Sequence, residues 1–434
     1  MKIKDIETNI KLLMRQWVEA RQSQSPINKI RYAGPVLGPD EYEAMMTAIF
    51  DDWWSGGQHT IKAEKKLANI SDRKYAVLTN SGSSANLVLL EAMKDRYFKD
   101  GDRILTLACG FSTTVSPIIK AGLTPVFVDI DLNTLNINPQ AIVRAVKDLG
   151  IKGVFLPHTL GYKNDIEAIA DIAKFSGLKV MYDACDAYGT VYQRKPIQHY
   201  GEAASLSFYV AHLITMGEGG AVVTDDSELY KAMRSIRSWG RYCSADTCCV
   251  RSIDPSAFCP TVRLTKDSPI PDDYPIGYIY EWLGYNVKPL ELQSAVLSVQ
   301  MDRIKEFSKV RVENYKRLQA YFEKSRMKFK LWDIDEDVSP FVYPVLIPDD
   351  APFSRSEFVE YLKKNRVETR VIFGGNLTRH PAYYKNKNSY IVHGDLDNSN
   401  LIMEYGLTFG VSHVNDMATT DKMIDIIDTF LKRF

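Results

Sequence analysis

Residues 75–130 read YAVLTNSGSSANLVLLEAMKDRYFKDGDRILTLACGFSTTVSPIIKAGLTPVFVDI. Three short apolar runs, YAVLTN (75–80), RILTLA (103–108) and PVFVDI (125–130), alternate with helical patterns at about 83–97 and 113–121. The alternation continues through GVFLPH (153–158), KVMYDA (179–184), ASLSFYV (204–210) and GAVVTD (220–225), with helical patterns near 138–149 and 165–176. β-Branched runs joined by helices of about 10–15 residues need crossover connections. The pattern predicts an α/β fold with a mostly parallel central sheet and helices on both faces. Ligands of such sheets bind beyond the carboxyl ends of the strands, so the residues just after each run matter most.

Outward from this core the pattern changes. Residues 227–275 lose periodicity and are rich in Cys, Ser, Asp and Pro, which reads as a long insertion. Regularity returns at 290–324, a long helix or a pair of helices, followed by a strand near FVYPVLI (341–347) and a helix near 355–365. Ile6, Ile10, Leu13, Met14 and Trp17 recur at helical spacing near the N-terminus. The expected organisation is an N-terminal helical segment (1–40), a large α/β domain (41–310) that would carry the ligand site, and a small C-terminal α+β domain (311–434). The Cys-rich insertion falls within the large domain at about 240–275.

The 434 residues are 45% hydrophobic and 25% charged, the composition of a globular protein with a large core. Lys plus Arg number 54 and Asp plus Glu 54, so there is no basic excess to support nucleic-acid binding. No apolar run approaches the ~18 residues of a membrane span, and the charged N-terminus has no cleavable apolar region. A cytoplasmic location is expected. Six cysteines in such a chain are not a disulfide framework.

After the first run, Ser81, Gly82, Ser83 and Ser84 open a helix. Small residues there let amides and hydroxyls approach a phosphate, although a plain capped helix reads the same way. Phe111 follows the second run and could stack on a planar ring or sit in the core. Asp183 ends the KVMYDA run, where a carboxylate must be paired or solvated. His212 follows ASLSFYV and precedes the glycine-rich MGEGGAV; alone it reads as structural.

Together these residues are far more specific. The phosphate cradle, the aromatic plate, Asp183, Ser207 and position 212 resemble the fold-type I pyridoxal-phosphate enzymes, and among them the sugar aminotransferase/dehydratase family. GYN at 284–286 followed by ELQSAV, and the N-terminal LGPDEYEAMMTAIFDDWWSGG, extend the likeness over roughly 35–434. The resemblance implies that Asp183 pairs with the cofactor's pyridine nitrogen and that Phe111 stacks on its ring. It implies phosphate binding by Gly82, Ser83 and Ser207, with Asn286 contributed by the neighbouring subunit of a homodimer. His158 and Tyr162 of PHTLGY would face the sugar. Apart from the resemblance, Arg370 and Arg379 could hold the substrate diphosphate bidentately, although solvated or structural roles suit them equally.

The departure is at position 212, where most members carry the lysine that captures the cofactor aldehyde. Histidine cannot do this stably, but it can move a proton. SFYVAHLITMGEGG and NLTRHPAY (376–383) resemble the subgroup that makes this replacement, the nucleotide-sugar 3-dehydratases of 3,6-dideoxyhexose biosynthesis. The activity implied is pyridoxamine-phosphate-dependent removal of the C3 hydroxyl from a nucleotide-linked 4-keto-6-deoxyhexose. CDP-4-keto-6-deoxy-D-glucose is the expected substrate, feeding lipopolysaccharide dideoxysugars, with His212 as the base. The competing reading is a silent sugar-nucleotide binder that lost its lysine.

One branch of that subgroup carries a [2Fe–2S] cluster reduced by an NAD(P)H-dependent iron–sulfur flavoprotein; the other has no cluster and uses glutamate on a GDP-sugar. Cys185 follows Asp183 by two residues and Cys243 lies 58 residues further on, as in the cluster branch. The branch's third cysteine position is Ala245 here, and Cys248, Cys249 and Cys259 follow. Five cysteines are thus on offer for the four ligands such a cluster takes. Zinc or incidental thiols are the other readings. Asn376-Leu377-Thr378 is a glycosylation sequon that a cytosolic chain would not use.

Overall fold

The computed structural model describes residues 2–23, 29–242 and 269–434. Its centre is an eight-stranded sheet. The strands are β1 (Tyr75–Thr79), β2 (Arg103–Leu107), β3 (Thr124–Val128), β4 (Gly153–Pro157) and β5 (Lys179–Asp183). After a small hairpin, β6 (Val191–Tyr192) and β7 (Lys195–Pro196), come β8 (Ala203–Ser207) and β9 (Gly220–Thr224). A separate three-stranded sheet is built from β10 (Val342–Leu346), β11 (Thr369–Arg370) and β13 (Gly406–Gly410), while β12 (Ile391–Val392) returns to the large sheet.

The large sheet runs β1-β9-β8-β5-β4-β2-β3-β12. Only β9 runs against its neighbours; every other pairing is parallel. Register decides what gathers at the carboxyl rim. Thr79 pairs with Gly220, and Gly220 with Ser207, so the ends of β1 and β8 align across β9. Pro157 pairs with Asp183, which brings the ends of β4 and β5 to the same edge.

Both faces of the sheet are covered, as the alternating side chains require. Val77, Ile104, Phe155, Met181 and Val222 pack under α4 (Gly82–Tyr97), α5 (Ser112–Lys120) and α8 (Ser227–Arg237). Their neighbours Leu78, Leu105, Leu156, Tyr182 and Val223 lie on the opposite face, with α3 (Gln58–Ile70), α6 (Pro139–Leu149) and α7 (Ile166–Ser176). The expected helices thus form close to their expected bounds. At the N-terminus α1 (Ile3–Ser23) packs on α2 (Pro39–Phe50), with Leu13 and Trp17 substantially exposed.

One expectation needs correction. The reading of 227–275 as a continuous insertion fails at its start, because Ser227–Arg237 is α8. Asp226 caps it by accepting from Glu228 and Leu229 N–H, and Leu229, Ala232, Met233 and Ile236 are buried at helical spacing. The signal was present in SELYKAMRSIR but lay beside an irregular stretch. The long segment at 290–324 is a pair of helices, α9 (Glu291–Gln300) and α10 (Ile304–Phe322), linked by a 3₁₀ turn at Met301–Arg303. Beyond it, α11 (Arg355–Lys364), the one-turn α12 (Pro381–Tyr384), α13 (Asp397–Tyr405) and α14 (Met417–Leu431) complete the chain. Phe322, Phe358, Phe409 and Phe430 form the core around the three-stranded sheet.

Candidate active site

At the carboxyl rim lies a cavity of about 340 Å³, lined by Gly82, Ser83, Phe111, Asp183, Cys185, Ser207 and His212, among others. Each is placed by a strand end. Ser81 caps α4 by accepting from Ser84 N–H at 3.1 Å, which leaves Gly82 and Ser83 in the first turn of a 16-residue helix. Gly82 has no room for a side chain: a Cβ there would stand 2.6 Å from Ser207 Cβ and 3.1 Å from Cys185 Sγ. That absence keeps the helix N-terminus and the end of β8 close enough to share one anion. Phe111, the residue before α5, is 56% exposed at the cavity wall although large and apolar.

Asp183 is buried and held by three donors. Its Oδ2 accepts from Asn86 Nδ2 at 2.9 Å and Thr114 Oγ1 at 2.7 Å, and its Oδ1 accepts from Cys185 N–H at 3.1 Å. A buried carboxylate with fixed orientation and remaining acceptor capacity suits a cationic ring nitrogen.

His212 sits on the irregular loop after β8. Burial, reinforced by the Arg311 charge, pushes its imidazole down to about 3, so it is neutral. Phe341 stacks on it at 5.2 Å, and its buried Nδ1 has no hydrogen-bond partner among the described residues. The nearest acid is Asp186, whose Oδ1 is 3.6 Å from that nitrogen. Burial and the Asp183 charge push Asp186 up to about 8. Burial and the same Asp183 charge push the Cys185 thiol well above its usual range.

The other predicted residues divide. His158 lines the cavity, buried and stacked on Tyr182 at 4.5 Å. Burial pushes it down to about 3, and Asn164 Nδ2 lies 3.1 Å from its Nδ1. Arg370 also lines the cavity, over the Tyr32 ring. Tyr162 does not face the cavity as expected: its hydroxyl is buried against that of Tyr315 at 2.5 Å, because the turn at Gly161 directs it toward α10. Arg379 is also away from the cavity, paired with Glu404 at 3.0 Å. Asn286 bridges to Ser238, accepts from Lys288 Nζ and does not line the cavity. Asn376 is 3% exposed and bonded to Asn400, so the sequon is no glycan acceptor in the folded chain. Cys243, Cys248, Cys249 and Cys259 lie outside the described residues, and among the described residues no group of three or more metal-ligating side chains gathers.

Sequence reasoning missed Asn86, Thr114, Asp186, Arg311 and Phe341. Only Asp186 had a local signal, lying three residues after Asp183 in DACDAYG.

The cavity therefore offers a helix N-terminus with hydroxyls, an aromatic plate and an oriented carboxylate, which fits a flat, phosphorylated pyridine ring. The sequence matches the DegT/DnrJ/EryC1/StrS aminotransferase family over residues 35–430, and the chain belongs to that family. It is 34% identical over 422 residues to the lipopolysaccharide biosynthesis protein RfbH of Salmonella typhimurium, covering 95% of this chain and 94% of that one. It is 33% identical over 431 residues to the dTDP-4-dehydro-2,6-dideoxy-D-glucose 3-dehydratase of Saccharopolyspora spinosa, covering 95% and 89%. Among solved structures it resembles a GDP-4-keto-6-deoxymannose-3-dehydratase variant with bound GDP-perosamine. That match has a TM-score of 0.80 and 27% identity, over 92% of this chain and all of that one. The protein is an enzyme of the pyridoxal-phosphate-dependent sugar aminotransferase and 3-dehydratase family. No helix among the described residues is long and apolar enough to cross a membrane.

Proposed function

We propose that the protein is a cytoplasmic, pyridoxamine-phosphate-dependent 3-dehydratase of a nucleotide-linked 4-keto-6-deoxyhexose, with CDP-4-keto-6-deoxy-D-glucose as substrate. The observation that carries this reading is His212. A neutral imidazole stands where most family members have their tethering lysine, and no lysine is among the described residues lining the cavity.

When bound, the cofactor supplies an amine that condenses with the C4 ketone and a ring that accepts electrons. Asp183 holds the ring nitrogen protonated, and Asn86 and Thr114 keep that carboxylate in place. Phe111 covers a ring face, while Gly82, Ser83 and Ser207 hold the phosphate, with Asn286 reaching it from the other subunit of a homodimer. His212 begins neutral, as a proton acceptor must. Its Nδ1 is buried, so Nε2 is the nitrogen that takes up a proton. Once protonated, the imidazolium delivers the proton to the departing C3 oxygen, which leaves as water. Arg370, which lines the cavity, would hold the diphosphate.

The electrons that complete deoxygenation are proposed to come from an NAD(P)H-dependent iron–sulfur flavoprotein reductase. Four of Cys185, Cys243, Cys248, Cys249 and Cys259 would hold a [2Fe–2S] cluster, which would supply one-electron transfer between reductase and cofactor. The support is the position of Cys185 at the cavity wall and the 58-residue interval to Cys243. The structural likeness to GDP-4-keto-6-deoxymannose-3-dehydratase favours a second reading, a cluster-free enzyme on a GDP-sugar that uses glutamate.

Incubation with pyridoxamine phosphate and CDP-4-keto-6-deoxy-D-glucose in heavy water tests the reading. Expected are deuterium at the cofactor C4′ carbon and loss of the C3 oxygen as water, both abolished in His212→Asn. A silent binder gives neither. Iron and acid-labile sulfide in anaerobically purified protein support the reductase branch; their absence together with glutamate-dependent turnover of the GDP-sugar supports the second reading.

A further inference from the structure

Arg311, on α10, is 1% exposed and carries a guanidinium with no carboxylate within ion-pair distance among the described residues. Burial pushes it down to about 10, so it remains charged at neutral pH. Burying a cation with no carboxylate in contact is costly, since Asp186 acts on it only at a distance, and an apolar side chain of similar volume would avoid the penalty. Its hydrogen bonds show what it does there. Nη2 donates to the carbonyl of His212 at 2.8 Å and of Ala211 at 3.2 Å, and Nη1 donates to the carbonyl of Phe341 at 2.9 Å. These carbonyls belong to two irregular segments, which no helix or sheet ladder satisfies. Phe341 in turn supplies the ring that stacks on His212.

We propose that Arg311 is the positioning residue of His212: one planar fork ties the loop that carries the imidazole to the segment that carries the ring behind it. This inference rests on the catalytic reading of His212. Lysine cannot reproduce the fork, since one ammonium cannot serve carbonyls from two segments in a fixed plane. The clamp has an electrostatic consequence as well. A cation bonded to the His212 carbonyl opposes a second positive charge on the same residue, which adds to burial in keeping the ring neutral. The other charged and titratable groups facing this assembly are Asp186, near both the ring and Arg311, Tyr209 beside the ring, His413 and Tyr32 beside Arg311, and Asp183, Cys185, His158 and Arg370 around the cavity.

The test compares wild type, Arg311→Lys and Arg311→Met. The first readout needs neither cofactor nor substrate: ¹⁵N spectra of imidazole-labelled protein, with His212 identified by its loss in His212→Asn. In wild type the ring is expected to remain neutral at about pH 5, well below the ordinary histidine value. In folded Arg311→Met its protonated fraction at that pH rises. Loaded with pyridoxamine phosphate and CDP-4-keto-6-deoxy-D-glucose, this variant should lose about 100-fold in kcat with KM changed less than about threefold. Arg311→Lys should recover about tenfold of that loss.

A folded Arg311→Met whose His212 titrates as in wild type, or whose kcat stays within about threefold, overturns the proposal. Should Arg311→Met not fold, Arg311→Lys with unchanged kcat overturns it, and so does a wild-type His212 that titrates near the ordinary value. A wild type that shows the neutral ring but no dehydration would instead sink the catalytic reading and leave the clamp standing.

Discussion

Asn86 and Asp183 are 97 residues apart and share a 2.9 Å hydrogen bond at the bottom of the cavity, beside a second bond from Thr114. The N-terminal ends of α4 and α5 thus grip the carboxylate at the end of β5. Two donors on one oxygen, with the Cys185 amide on the other, set the plane in which the carboxylate meets a ring nitrogen.

The double variant Asn86→Ala/Thr114→Val should therefore loosen cofactor binding without unfolding the protein. Each bond to a charged group contributes about 1.5–3 kcal/mol gross, part of which water recovers in an open cavity. Pyridoxamine phosphate affinity, measured by fluorescence titration, should fall about 10- to 100-fold, and unchanged affinity would remove Asp183 from the cofactor site.

Gly82→Ala places a Cβ 2.6 Å from Ser207 Cβ, inside any real contact distance. The end of β8 or the start of α4 must move, which widens the phosphate cradle and strains the packing by about 1–3 kcal/mol. Expected are a lower urea midpoint and at least about tenfold weaker cofactor binding. A variant with both unchanged would show that the close approach is not needed.

His158 is neutral in the folded protein because burial pushes it down to about 3. Unfolded, it binds a proton below about pH 6.5. The unfolded state thus holds more protons between these values, and stability must fall as pH drops through that window, by about 1.4 kcal/mol per pH unit from this residue. Above it, His158 makes no pH-dependent contribution. Urea unfolding at several pH values should give a shallower acid slope for His158→Gln than for wild type; identical slopes would refute the assignment.

His212→Lys restores a tethering amine. With pyridoxal phosphate it should yield a covalent adduct trapped by borohydride, visible as a mass increase on the peptide carrying position 212, and dehydration should cease. Trapping on a different lysine in the wild-type protein would contradict the cavity as described.

Much of the site was legible because it follows the strand ends. Gly82, Phe111 and His212 come just after an apolar run, Asp183 and Ser207 close strands within one, and the run's periodicity is local information. Tyr162 and Arg379 looked equally well placed, but the turn at Gly161 carries one into contact with Tyr315 and Glu404 holds the other. Helix α8 was overlooked because its apolar face abuts an aperiodic stretch.

What the sequence determined alone is the alternation of strands and crossover helices, and the imidazole at position 212 in place of an amine. Both depend on residue identity and short-range spacing. Which groups surround that imidazole was decided only by the tertiary structure. Arg311 lies 99 residues away on α10, and Asp186 and Phe341 arrive from two further loops. Sheet order, register and helix packing bring them together, and none of these is encoded in local periodicity.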